Sequence, residues 1–230
     1  MAYIINRKFI FLHIPKTGGS WVNSVLEDSN LDLEKIGYYK HASYDHVVGV
    51  LLHKFDRNTL FNKFLRLYRK HDYKYFTVIR NPITWYESLF KYLQMRDEMG
   101  FKRPGTVGKH HEWHILSSTN HIATKDFNQF IEEIVSKAPG LATYVFNSYV
   151  LNSSCYILKQ ESLRKDLQVF NEKFDIGIKA ELIQESESSN CSPVKKLIWD
   201  EENLKKIIKY DCAIFDSYGY SKKLSDYMNK

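Results

Sequence analysis

A chain of 230 residues with 43% apolar and 26% charged residues has the length and composition of one globular domain whose core is large enough to fold without staples. Cys155, Cys191 and Cys212, odd in number and lacking C-x-x-C spacing, imply no disulfide framework and fit reduced, mostly buried thiols in a cytoplasmic protein. The formal charge of +6 favours anionic partners, yet the lysines are dispersed as on any solvated basic surface, so charge alone does not choose among nucleic acid, an acidic membrane and a charged nucleotide.

The first apolar run, Phe9, Ile10, Phe11, Leu12 and Ile14, is too short to cross a bilayer and has no cleavage site after it. It predicts a core strand. Pro15, Lys16, Thr17, Gly18 and Gly19 then predict a loop, and Trp21, Val22, Val25 and Leu26 share one face of a helix that starts near Ser20 and ends near Asp28. Strand, loop and helix in this order suit an anion. The two glycines let backbone N–H groups approach closely, Lys16 adds charge, and the helix turns its positive end to the loop. In the triphosphate-binding pattern G-x-x-x-x-G-K-[ST] the lysine follows the second glycine, whereas Lys16 precedes both. His13 is expected to order the loop by hydrogen bonding.

Residues 39–46, YKHASYDH, bring His41 and His46. Asp56 to His71 predicts a peripheral amphipathic helix with Leu60, Phe61, Phe64, Leu65 and Tyr68 on its apolar face. Tyr75 to Ile79 predicts a strand, stopped at Arg80-Asn81-Pro82 and followed by a helix from about Thr84 to Arg96. Residues 100–121 hold three of the ten glycines and four of the nine histidines, a long loop that suits a lid, an acceptor-binding segment or disorder. His110, His111 and His114 have spacings that can share a helix face, but only Glu112 joins them, and a polar loop outweighs a metal site.

Thr124 is expected to cap a helix with Phe127, Phe130, Ile131, Ile134 and Val135 inward. Cys155 to Lys159 predicts another buried strand and Glu161 to Phe174 the helix after it. Residues 185–194 form a polar loop, after which Lys195 and Lys196 suit either a nucleotide contact or a solvated helix start. One last helix, carrying Trp199, Leu204, Ile207, Ile208, Cys212 and Phe215, ends near Gly219. No repeat or linker divides residues 1–230, so a single domain is expected. Alternating strands and helices predict an α/β fold in three layers, a central parallel sheet with helices on both faces and ligands at the carboxyl ends of its strands.

HIPKTGGS, residues 13–20, resembles the 5′-phosphosulfate-binding loop of sulfotransferases that use 3′-phosphoadenosine 5′-phosphosulfate (PAPS), closest to the branch that includes carbohydrate sulfotransferases. FTVIRNPITWYESLF, residues 76–90, resembles the strand and helix in which that family places an arginine and, eight residues on, a serine against the 3′-phosphate. YILKQESL (156–163) and DEENLKKIIKYDCAIFDSYGY (200–220) resemble the family's later strand and turn and its closing helix, so the resemblance covers most of the chain apart from residues 100–121.

The resemblance implies a P-loop nucleotide-kinase-like fold, PAPS as donor, PAP as product and no metal. It implies that Lys16, Thr17, Gly18, Gly19, Ser20 and Trp21 hold the 5′-phosphate and sulfate, and that Arg80 and Ser88 hold the 3′-phosphate. A guanidinium fork and a hydroxyl are suited to phosphate oxygens. Lys16 would face the leaving-group oxygen, and His41, in a K-H-A-S segment, would be the base, with His46 as second choice and a glutamate in some related branches. The implied acceptor is a hydroxyl or amine of a carbohydrate or small-molecule alcohol, protein tyrosines being compatible. Animal relatives carry membrane anchors, so a soluble bacterial or viral form without membrane insertion is expected, and nucleic acid is not an expected partner. A P-loop kinase, disfavoured by the lysine's place, and a non-catalytic polyanion-binding module are the alternatives, since a fold does not settle activity.

Overall fold

The computed structural model describes residues 2–36, 43–44, 47, 73–99, 119, 122, 124–150, 155–185 and 196–228. The chain divides into two compact units, Met1–Ile79 with Asn147–Asn190, and Arg80–Phe146 with Cys191–Lys230.

The first unit is built on five strands, β1 (Ala2–Ile5), β2 (Phe9–Leu12), β3 (Leu33–Ile36), β4 (Lys74–Ile79) and β5 (Cys155–Lys159), in the order β3-β1-β2-β4-β5. β2, β4 and β5 run parallel, whereas β1 is antiparallel to both β2 and β3. The expected α/β class holds, but the expected central parallel sheet is instead a mixed one, parallel only across β2, β4 and β5. The cause is the turn at Asn6 (φ 50°) and Arg7 (φ 54°), closed by the Lys8 N–H donating to the Ile5 carbonyl at 3.0 Å. Positive φ at both central residues gives the mirror-image turn whose twist suits a hairpin, and so short a link joins only antiparallel strands.

Side chains of one parity, Tyr3, Ile5, Phe9, Phe11, Phe76, Val78 and Leu158, pack with Val22, Val25 and Leu26 of helix α1 (Gly19–Glu27) and with Leu167 and Phe170 of a later helix, Leu163–Phe174. Phe76 lies 4.5 Å from Phe170 and 5.0 Å from Phe11, ring centre to ring centre. The opposite parity is buried as well, at Ile10, Leu12, Thr77 and Ile79, with the Thr77 hydroxyl donating to the Leu12 carbonyl at 2.6 Å. Burial on both faces is the state of central strands in an α/β sheet and explains their unbroken apolar run.

The second unit contains α2 (Pro82–Glu98), α3 (Phe127–Lys137), α4 (Leu141–Asn147, all but its last residue), and, beyond the α5 helix Leu163–Phe174 and the short α6 (Ala180–Glu185) of the first unit, α7 (Glu201–Tyr210), α8 (Cys212–Tyr218) and α9 (Ser225–Met228). Its core is aromatic: Phe90 meets Phe130 at 5.3 Å, Phe127 meets Trp199 at 4.8 Å, and Trp85 meets Phe146 at 5.7 Å.

Two details differ from expectation. Asp126, not Thr124, caps α3 by accepting the Gln129 N–H at 2.8 Å, while Thr124 accepts the Asp126 N–H and donates to the Gln129 side chain. The expected last helix is two, broken at Asp211, and Trp199 precedes both. The buried Asp211 carboxylate accepts the Tyr86 hydroxyl at 2.9 Å and, from Thr143, the N–H at 2.8 Å and the hydroxyl at 2.9 Å. Turning that side chain inward ties α2 and α4 to the break.

The helix expected over residues 56–71 lies outside the described residues, as do His41, His46, His110, His111, His114 and Lys195, most of the 100–121 segment and nearly all of the 185–194 loop. Among the described residues no helix is long and apolar enough to cross a membrane.

Candidate functional site

The chain leaves β2 at Leu12 and enters α1 at Gly19, so His13 to Gly18 form the loop at the carboxyl end of a strand buried in the sheet. Lys16 (φ 67°) and Gly18 (φ 91°) are both left-handed. Left-handed residues at alternate positions turn successive N–H groups to one side, the backbone arrangement that receives anions. A non-glycine at positive φ costs of order 1 kcal/mol, so Lys16 is held there by its surroundings.

Gly18 is the residue before α1 and provides no side-chain cap. The Trp21 N–H turns back to the Gly18 carbonyl at 3.0 Å, but the N–H groups of Gly19 and Ser20 have no acceptor among the described residues. With no acidic residue in its first turn, the nine-residue α1 offers these donors and its positive end without an internal competitor.

The two glycines are there for different reasons. Gly18 needs its left-handed backbone, and a methyl group on it would also lie 3.1 Å from Leu163 Cδ2, which follows the turn after β5. Gly19 has an ordinary φ, but a methyl group there would lie 2.4 Å from Cδ2 of the buried His13 imidazole. Thr17 is buried and donates its hydroxyl to the Ile14 carbonyl at 3.0 Å. That hydrogen bond closes the loop. Lys16 and Ser20 are half-buried. Trp21 is buried beneath Arg164, whose guanidinium stands 5.1 Å from the ring centre and donates to the Gln184 carbonyl at 2.9 Å.

In the second unit, Arg80 directly follows β4 in the chain and Asn81 starts α2. The Asn81 side chain accepts the Ile83 N–H at 2.9 Å and Pro82 occupies the first helical position, where its missing N–H is not needed. Arg80 Nε donates to the Thr84 hydroxyl at 3.0 Å. Thr84 and Ser88 stand one helical turn apart on one face, so Arg80, Thr84 and Ser88 form a row of hydrogen-bonding groups along the start of α2.

Lys16, Thr17, Gly18, Gly19, Ser20 and Trp21 thus share one strand–loop–helix turn, and Arg80 and Ser88 share one helix start, while Lys196 is exposed. Three residues beside these were not singled out in the sequence: Thr84, Arg164 and Asn23, the last being the partner of His13, with Asn23 Nδ2 3.2 Å from His13 Nδ1. A signal existed for two of them, since Thr84 precedes Ser88 by one turn and Asn23 interrupts the apolar face of α1. The chain matches no family model, no curated protein and no solved structure.

Proposed function

We propose that the chain is a PAPS-dependent sulfotransferase that moves a sulfuryl group to a hydroxyl or amine of a carbohydrate or small-molecule alcohol. The reading is carried by the loop: left-handed Lys16 and Gly18, with the N–H groups of Gly19 and Ser20 unclaimed among the described residues, at a helix start whose sequence resembles a 5′-phosphosulfate loop. In this reading the backbone of residues 17–20 and the Ser20 hydroxyl hold the 5′-phosphate and sulfate. Arg80 and Ser88 hold the 3′-phosphate, with Thr84 steering the guanidinium.

The acceptor oxygen attacks sulfur in line, the bond from sulfur to the 5′-phosphate oxygen breaks, and PAP departs with that oxygen. Lys16 stabilises the charge growing on the leaving oxygen, and His41 takes the acceptor proton. Little covalent chemistry is asked of the protein; positioning and charge stabilisation supply the rate.

A thermal shift tests the nucleotide half of this reading. PAP at about one hundred times its Kd adds about 2.7 kcal/mol of stability, a rise of about 5–10 °C for a chain of this length. Lys16→Ala and Arg80→Ala should each remove about half of that rise or more, and a wild-type Tm indifferent to PAP and PAPS would reject the proposal.

A further inference from the structure

We propose that His13 is a positioning residue of the loop: held by Asn23 as the tautomer with its proton on Nε2, the buried imidazole is the surface against which the Gly19 peptide rests. It thereby sets the direction of the N–H groups of Gly19 and Ser20. The inference deepens the proposed function and rests on it only for the identity of the anion.

His13 follows β2 directly and is 2% exposed. Its ring stacks on Phe11 with centres 6.1 Å apart and planes 24° from parallel, and its Nδ1 faces the Asn23 amide nitrogen at 3.2 Å. An amide nitrogen has only hydrogens to give, so Nδ1 accepts and the ring hydrogen sits on Nε2. Asn23 lies one turn beyond Gly19 in α1, and the ring therefore bridges the base of the loop and the first turn of the helix.

A methyl group on Gly19 would lie 2.4 Å from Cδ2, 2.8 Å from Nε2 and 3.0 Å from Cγ of this ring. Stacked on Phe11 and held by Asn23, the ring cannot withdraw without losing both contacts. The glycine at 19 is thus a consequence of the imidazole at 13.

The test uses the full chain. In the wild type, nitrogen-15 NMR of His13, assigned through contacts to the Gly19 amide, should report the neutral Nε2–H tautomer. Gly19→Ala should raise the Kd for PAP about tenfold to a hundredfold, as for loss of a hydrogen bond to a charged group. The same substitution in a His13→Ala background should change Kd and Tm little further, because the clash is gone. His13→Asn, which keeps an acceptor for Asn23 but neither the ring over Gly19 nor its stacking on Phe11, should stay folded with a Tm above that of His13→Ala and still lose PAP affinity.

Additive losses in the double variant, an Nδ1–H or doubly protonated ring, or a His13→Asn variant with unchanged PAP affinity would overturn the positioning role. A wild type with the expected tautomer and Tm coupling but no PAP binding would support it while rejecting the sulfotransferase reading.

Discussion

Asp211 is the residue whose chemistry most directly touches stability. Burial pushes its carboxyl up from the ordinary 3.8, against the pull of the hydrogen bonds from Thr143 and Tyr86. The same burial, with Asp211 beside it, drives the Tyr86 hydroxyl well up. A carboxyl raised in the folded state binds its proton more tightly there than in the unfolded chain. Its contribution to stability is therefore full below about pH 4 and is lost as pH rises through the raised value. Urea unfolding of wild type against Asp211→Asn should show this as a difference that grows with pH across that window and is flat above it. Asp211→Ala should cost about 3 kcal/mol or more, since it strands a buried hydroxyl and N–H. Sequence pattern marked Lys16, Gly18, Gly19, Arg80 and Ser88, because a loop and a strand end encode them locally. Asp211 was hidden among charged helix residues, since its partners Tyr86 and Thr143 are 125 and 68 positions away.

At the scale of elements, the strands β2, β4 and β5 and helix α1 were legible as apolar runs and helical periodicity. β1 was not, because the Asn6-Arg7 turn lacks the glycine that usually marks such a hairpin. Arg7→Gly tests that account: relief of the positive φ should stabilise the protein by about 0.5–1 kcal/mol in urea unfolding. The lost Arg7–Asp32 ion pair, 3.2 Å long between side chains 85% and 60% exposed, is too solvated to cancel the gain. The cap of α3 was misplaced by two residues because Thr124 and Asp126 are both cap formers and only the backbone decides between them. Asp126→Ala should cost about 1 kcal/mol and Thr124→Ala distinctly less.

For the whole molecule, composition and alternation pointed correctly to an α/β chain, and the mixed sheet follows from one early hairpin rather than from a different core. The parallel strands β2 and β4 are neighbours. The loop of residues 13–18 leaves the carboxyl end of β2, and Arg80 follows β4 in the chain. A charge of +6 suits a nucleotide with phosphates at both ends of its ribose, and binding of such a ligand should weaken with salt. Isothermal titration of the full chain with PAP and, separately, with Mg-ATP tests the central claim most directly. The account predicts one PAP bound per chain, more tightly than Mg-ATP, with Lys16→Ala and Arg80→Ala each weakening PAP about tenfold to a hundredfold. Absence of PAP binding, or tighter binding of Mg-ATP, would contradict it.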